Sequence, residues 1–188
     1  MPPWLIILLI AVAVIVLFLI FTYNGLVRLR NMVDEAWNQI SVQLKRRHDL
    51  IPNLVNTVKG AMEFERGTLE AVISARNKAV SATTVKETAR AEGELTQALG
   101  RLFALTEAYP ELKRQCNYAT LMTQREGTQN RIGIARRDYN ESVQSYNTTI
   151  RTFPDAIGAK IFFGAKPMTP FQATTPGAET APTVNFGN

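Results

Sequence analysis

The side chains able to do chemistry are few and dispersed. His48 is the only histidine and Cys116 the only cysteine among 188 residues, so a histidine pair or a cysteine-based zinc site has no ligands to draw on. His48 lies in the polar run Lys45-Arg46-Arg47-His48-Asp49, which predicts a helix-helix turn with the imidazole solvated or capping. Cys116 falls on an apolar helix face and reads as a small buried hydrophobe. The acidic pairs Asp34/Glu35 and Glu63/Glu65 carry the groups for acid/base work or cation ligation. On helices such neighbours ordinarily form a solvated face. The chain has no glycine-rich phosphate loop and no nucleophile-elbow motif. These residues point to no enzyme, no cofactor, no metal and no small-molecule substrate.

The excess of five positive charges, with a pI near 9.6, suits a membrane surface, an acidic partner or nucleic acid. Arg131, Arg136 and Arg137 read as an ordinary charged helix face. No aromatic residues interleave them in the manner of a nucleic-acid surface, so nucleic acid is not expected. The cluster Lys45, Arg46, Arg47 is expected to contact a protein partner. If the first helix rises straight from a membrane, the cluster stands roughly 35–40 Å above it, and lipid attraction fades within about 8 Å.

The elements that would position these groups begin with an anchor. Residues 4–21 are eighteen consecutive apolar residues without a charge, about 27 Å of helix and close to a bilayer's hydrocarbon thickness. Trp4, Leu5, Ile6, Leu17, Phe18 and Phe21 are the membrane-spanning residues, with Trp4 and Tyr23 as aromatic belts at the two ends. A cleaved signal peptide would show a basic start and a small-residue cleavage site. Met1-Pro2-Pro3 and Phe21-Thr22-Tyr23 show neither, and no cysteine follows the run for lipidation. Arg28 and Arg30 follow the apolar run and no basic residue precedes it, which places the N-terminus outside and the bulk in the cytoplasm.

Beyond Tyr23 the chain turns amphipathic. Leu26, Leu29, Val33, Ala36, Ile40 and Leu44 mark one helix stripe, with Gly25 either a joint or a tolerated helix glycine. After a turn at 47–49, with Asp49 capping and Pro52 in the next first turn, a second helix is expected over 51–80. Its stripe is Ile51, Leu54, Val58, Met62, Leu69, Val72 and Arg76, interrupted near Glu65, and its length is about 45 Å. A loop at 81–84 leads to a third helix over 85–108, with Leu95, Leu99, Leu102 and Leu105 inside. Pro110 breaks the chain or opens a fourth helix reaching 153. Its heptads are Ile132, Ala135, Tyr139, Val143, Tyr146, Ile150 and Phe153.

The expected fold class is therefore all-α: an N-terminal transmembrane helix (1–23), then an elongated antiparallel up-and-down four-helix bundle (24–153). In that topology the fourth helix returns toward the bilayer. Ile157, Ile161, Phe162 and Phe163, flanked by Lys160 and Lys166, then form a membrane-interface element over 154–166, or simply close the bundle's end. Residues 167–188, rich in Pro, Thr, Gly and Ala, read as an extended tail.

Several runs are specific enough to suggest kinship. Tyr23-Asn24-Gly25-Leu26-Val27, Ala36-Trp37, Val42 through Val55 with its Arg-Arg-His-Asp-Leu-Ile-Pro-Asn core, Ala108 through Lys113, Asn130-Arg131-Ile132, Tyr139-Asn140, Tyr146-Asn147 and Phe153-Pro154 resemble the LemA family of bacterial membrane proteins. Gln129 and Cys116 depart from its pattern. The resemblance implies a cytoplasm-facing four-helix bundle at the inner membrane and supplies no enzymatic activity. One branch is similar to proteins that form magnetosome membranes, which implies a membrane-shaping scaffold. Others occur beside membrane proteases, which implies an adaptor or regulator with a membrane-protein partner. Under this comparison Phe171, Val184 and Phe186 become spaced anchors that dock between bundles in a homo-oligomer.

Overall fold

The computed structural model describes residues 2–60, 65–110 and 116–172, and every regular element among them is helical. Four long helices carry the fold: α1 (Pro3–Lys59), α2 (Arg66–Ser81), α3 (Val85–Thr106) and α4 (Cys116–Thr149). A single turn, α5 (Asp155–Ile157), runs directly into a π-helical segment, Gly158–Phe162. The all-α class read from the periodicity is the class of the protein.

The turn expected at 47–49 does not exist, and neither does a cap by Asp49. Helix α1 runs unbroken from Pro3 to Lys59 with Pro52 in its interior. A proline lacks the N–H that would bond the carbonyl four residues earlier, a defect that usually kinks or ends a helix. Here that carbonyl belongs to His48, and the Arg76 Nε–H donates to it at 2.9 Å. A side chain from α2 thus supplies the bond that Pro52 removes. Gly25 is an ordinary helical position with open space where a Cβ would be. The expected 51–80 helix is instead the end of α1 and a separate α2.

The chain folds as two compact units, Met1–Val42 with Gly133–Pro170, and Gln43–Ile132 with Phe171–Asn188. In the first, α1 and α4 run antiparallel. Trp37 meets Tyr139, ring centroids 5.5 Å apart, and the α1 residue Thr22 meets Asp155 beyond the far end of α4. Leu26, Val33, Ala36 and Ile40 on α1, and Ala135, Tyr139, Val143 and Tyr146 on α4, are buried as their spacing predicts. Each large side chain so buried contributes about 1.5–3 kcal/mol. Phe153 departs from the heptad and is 77% exposed. Its stripe position requires a helix, and α4 ends at Thr149.

In the second unit α2 and α3 form an antiparallel hairpin around Ala82-Thr83-Thr84. Thr84 accepts from the Glu87 N–H at 3.2 Å, and the Glu87 carboxylate accepts from the Thr84 N–H at 3.2 Å, a reciprocal capping box. Lys78 and Glu94 pair across the hairpin at 3.2 Å. The core joins Ile51, Leu54 and Val58 of α1, Leu69 and Val72 of α2, Leu95, Leu99 and Leu102 of α3 and Tyr118 of α4. Tyr118 shares a 2.8 Å hydrogen bond with Thr106, and Arg125 lies 4.0 Å over the Phe103 ring, so α3 and α4 are antiparallel too.

Candidate membrane-boundary site and buried charged cluster

The apolar run on α1 is long enough to cross a membrane, and its side chains point outward all round, from Trp4 to Phe21. A helix that is apolar on every face and uncovered by protein matches hydrocarbon rather than water. Trp4, Ile6, Leu17 and Phe21 are exposed, and Leu5 and Phe18 partly so.

Immediately after this run residues 155–163 meet α1. The Thr22 hydroxyl donates to Asp155 Oδ1 at 3.3 Å, and the Tyr23 and Phe163 rings sit 5.2 Å apart. Between these contacts Gly158 lies so close that a Cβ would come within 2.8 Å of the Thr22 methyl. The absence of a side chain at Gly158 is what permits this approach. The Phe163 N–H bonds the Gly158 carbonyl at 3.2 Å, closing the π turn, and Ala165 N–H bonds Ala159 at 2.9 Å. Gly164, at φ +55°, ends the segment in a left-handed conformation that suits glycine. With its inner side held to α1, the segment exposes Ile157, Ile161, Phe162 and Lys160.

The chain then doubles back along α4. The Asn147 side chain donates to the Met168 carbonyl and accepts from its N–H, both at 2.8 Å, while the Tyr139 hydroxyl donates to the Thr169 carbonyl at 3.0 Å. Burial, and secondarily the charge of Asp34, pushes the Tyr139 phenol above its ordinary value, so it stays a neutral donor. Residues 167–172, read from composition as part of a free extension, are thus tied to their own chain through 170. Phe171 is 2% exposed. Val184 and Phe186 lie outside the described residues.

A second constellation lies in the other unit. Glu92, fully buried, accepts from Arg47 Nη1 at 2.9 Å on one oxygen and faces His48 Nε2 at 2.5 Å on the other. A carboxylate held by a guanidinium can only accept, so Nε2 is the donor. Arg47 also donates to Thr96 at 2.9 Å. The expectation of a solvated or capping His48 is overturned, and so is that of Arg47 as a partner contact. Both face inward, because α1 continues through them and turns its inner stripe toward α3. Lys45 and Arg46 remain exposed. Glu92 escaped the sequence reading, although its position three before Leu95 extends the Leu95–Leu99–Leu102 stripe. Thr22 and Asn147 were missed too; their partners lie more than a hundred and about twenty residues away, beyond any local pattern. Among the described residues, no three His, Cys, Asp or Glu side chains gather as a metal site.

A sequence model of the LemA family matches residues 36–186. The chain is similar to Protein LemA of Metamycoplasma hominis, 29% identical over 132 residues, covering 69% of this chain and 60% of that protein. It is similar also to Magnetosome protein MamQ of Magnetospirillum gryphiswaldense, 24% identical over 162 residues, covering 72% and 60%. The chain thus spans about three-fifths of the length of these relatives. With the match running from the middle of α1 beyond the Asn147-bound segment, and the apolar helix ahead of it, this chain is a membrane protein that belongs to the LemA family.

Proposed function

We propose that this protein is a non-enzymatic scaffold that self-associates and organises or shapes the bacterial inner membrane. Its N-terminus lies outside and its helical bundle in the cytoplasm. The observation that carries the reading is the continuity of α1: the membrane-spanning run passes without a joint into the segment packed antiparallel on α4. An anchor that served only as a tether would need no such rigid coupling. Here, any force that assembles the helical part is transmitted to the span. The similarity to magnetosome proteins supports a role tied to a membrane compartment. The mass of the detergent-extracted full-length protein, by light scattering and particle imaging, tests the reading. A large uniform assembly, reduced in mass on deletion of residues 173–188, supports it, and a monomer or dimer overturns it.

The exposure of Lys45 and Arg46 on one helix favours a second reading, an adaptor or regulator of a membrane protease or signalling complex. Changing both to Glu would then abolish capture of the membrane partner while leaving the assembly's mass intact. Undiminished capture removes this alternative.

A further inference from the structure

We propose that residues 155–163, α5 with the π-helical turn that continues it, are a second membrane contact, a collar on the span that inserts Ile157, Ile161 and Phe162 into the headgroup boundary of an anionic leaflet. The proposal rests on the membrane-spanning reading of α1 and goes beyond the scaffold role.

Position carries it first. The segment is held against Thr22 and Tyr23 by a hydrogen bond, a ring contact and a backbone approach that only glycine allows. Those are the two residues that follow the eighteen-residue apolar run, where hydrocarbon gives way to headgroups. Ile161 and Phe162 are 72% and 58% exposed, at a level where the surrounding medium is lipid headgroup rather than bulk water. Three outward apolar side chains beside a membrane span form a surface continuous with it. Chemistry carries it second. Lys160 and Lys166 flank the apolar residues and are exposed, as are Arg28 and Arg30 on α1. Asp155, the acidic group of the segment, is occupied with Thr22. Apolar side chains beside exposed lysines match the boundary of a leaflet rich in acidic phospholipid, where acyl chains meet phosphate.

The test uses the full chain carrying Cys116→Ser, with a single nitroxide label at Phe162→Cys, reconstituted at high dilution in phosphatidylcholine vesicles with or without phosphatidylglycerol. Accessibility to oxygen and to a water-soluble nickel chelate reads depth. A label at Val12→Cys reports the span, and one at Ile134→Cys, exposed on α4, reports water. The expected result is an oxygen-to-nickel ratio at 162 several-fold above that at 134, greater with phosphatidylglycerol. Lys160→Glu with Lys166→Glu should erase the phosphatidylglycerol increment, and Gly158→Val, by pushing the segment off Thr22, should bring the ratio to the aqueous value. A label at 162 as water-accessible as that at 134, while 12 reads as buried, overturns the collar and leaves the span standing. An aqueous reading at 12 overturns the span itself. Dipolar broadening at 162 between dilute copies overturns the lipid assignment in favour of a second copy of this chain. An increment unchanged by the Glu substitutions overturns recognition of the acidic headgroup.

Discussion

Arg76 donates its Nε–H to the carbonyl of His48, the acceptor that Pro52 leaves without a helical partner. A proline in the middle of a helix and an arginine on its neighbour are therefore one structural device. It keeps α1 continuous where the local sequence looks ready to stop.

The pair predicts a coupled mutational response. Arg76→Met should cost about 1–3 kcal/mol, because it leaves a part-buried carbonyl unsatisfied. Pro52→Ala restores the N–H within the helix, so the same Arg76 change should then cost clearly less. Urea unfolding of the four variants, followed by circular dichroism in detergent, gives the coupling. Additive effects would show that Arg76 acts elsewhere.

Glu92 balances two inward-facing side chains at once. Removing one partner from a buried ion pair typically costs about 3–5 kcal/mol, so Glu92→Ala should rank among the most destabilising single changes. Replacing Arg47 and Glu92 together by Met should recover the part of the loss due to the unpaired guanidinium, while His48 still loses its acceptor. Thermal unfolding decides; a double variant as unstable as Glu92→Ala would argue against the ion pair as the source.

The α2–α3 hairpin carries a pH-dependent cap. Hydrogen bonds, first from the Thr83 backbone and next from the Thr84 backbone, hold the Glu87 carboxyl below its ordinary value of 4.5. Its stabilising contribution is therefore complete above that value and disappears as pH falls through the lower, folded-state value. Stability measured from neutral to acid pH should decline less steeply in Glu87→Gln than in the parent. Thr84→Ala should cost about 0.5–2 kcal/mol at neutral pH through loss of the other half of the box.

Asn147 clamps the returning chain with two hydrogen bonds to Met168. Asn147→Leu should free residues 165–170 without unfolding the helices, at a local cost of about 1–3 kcal/mol for the unpaired backbone groups. Amide hydrogen exchange should show faster exchange at Met168 while α4 remains protected. Asn147→Asp keeps the acceptor and loses the donor, so it should give an intermediate effect. Equal exchange in parent and Asn147→Leu would show that other contacts hold the segment.

Much of the helical framework was legible along the chain, because amphipathic periodicity records which face is covered. The stripes Leu26–Leu44, Leu95–Leu102 and Ile132–Ile150 are buried nearly as read. The apolar run needed no tertiary information, since an eighteen-residue stretch without charge has little choice of solvent. Reading failed where a residue's local character and its tertiary partner disagree. Arg47, His48 and Pro52 look like a turn; they lie inside a helix because Glu92 and Arg76, forty-five and twenty-eight residues away from Arg47 and His48 respectively, supply what the local chain lacks.

The same division holds at the membrane boundary. Composition by itself marked Ile157 through Phe163 as apolar and flanked by lysines, and left open whether the segment faces lipid or closes a bundle. Only the tertiary structure decided that its inner side is spent on Thr22 and Tyr23 and its apolar side chains are outward. The deciding contacts are a hydrogen bond between residues 133 apart in the chain and a glycine chosen for the thickness of its neighbour. Local propensity is a property of a few adjacent residues, and it carries no record of partners that meet only when the chain is folded.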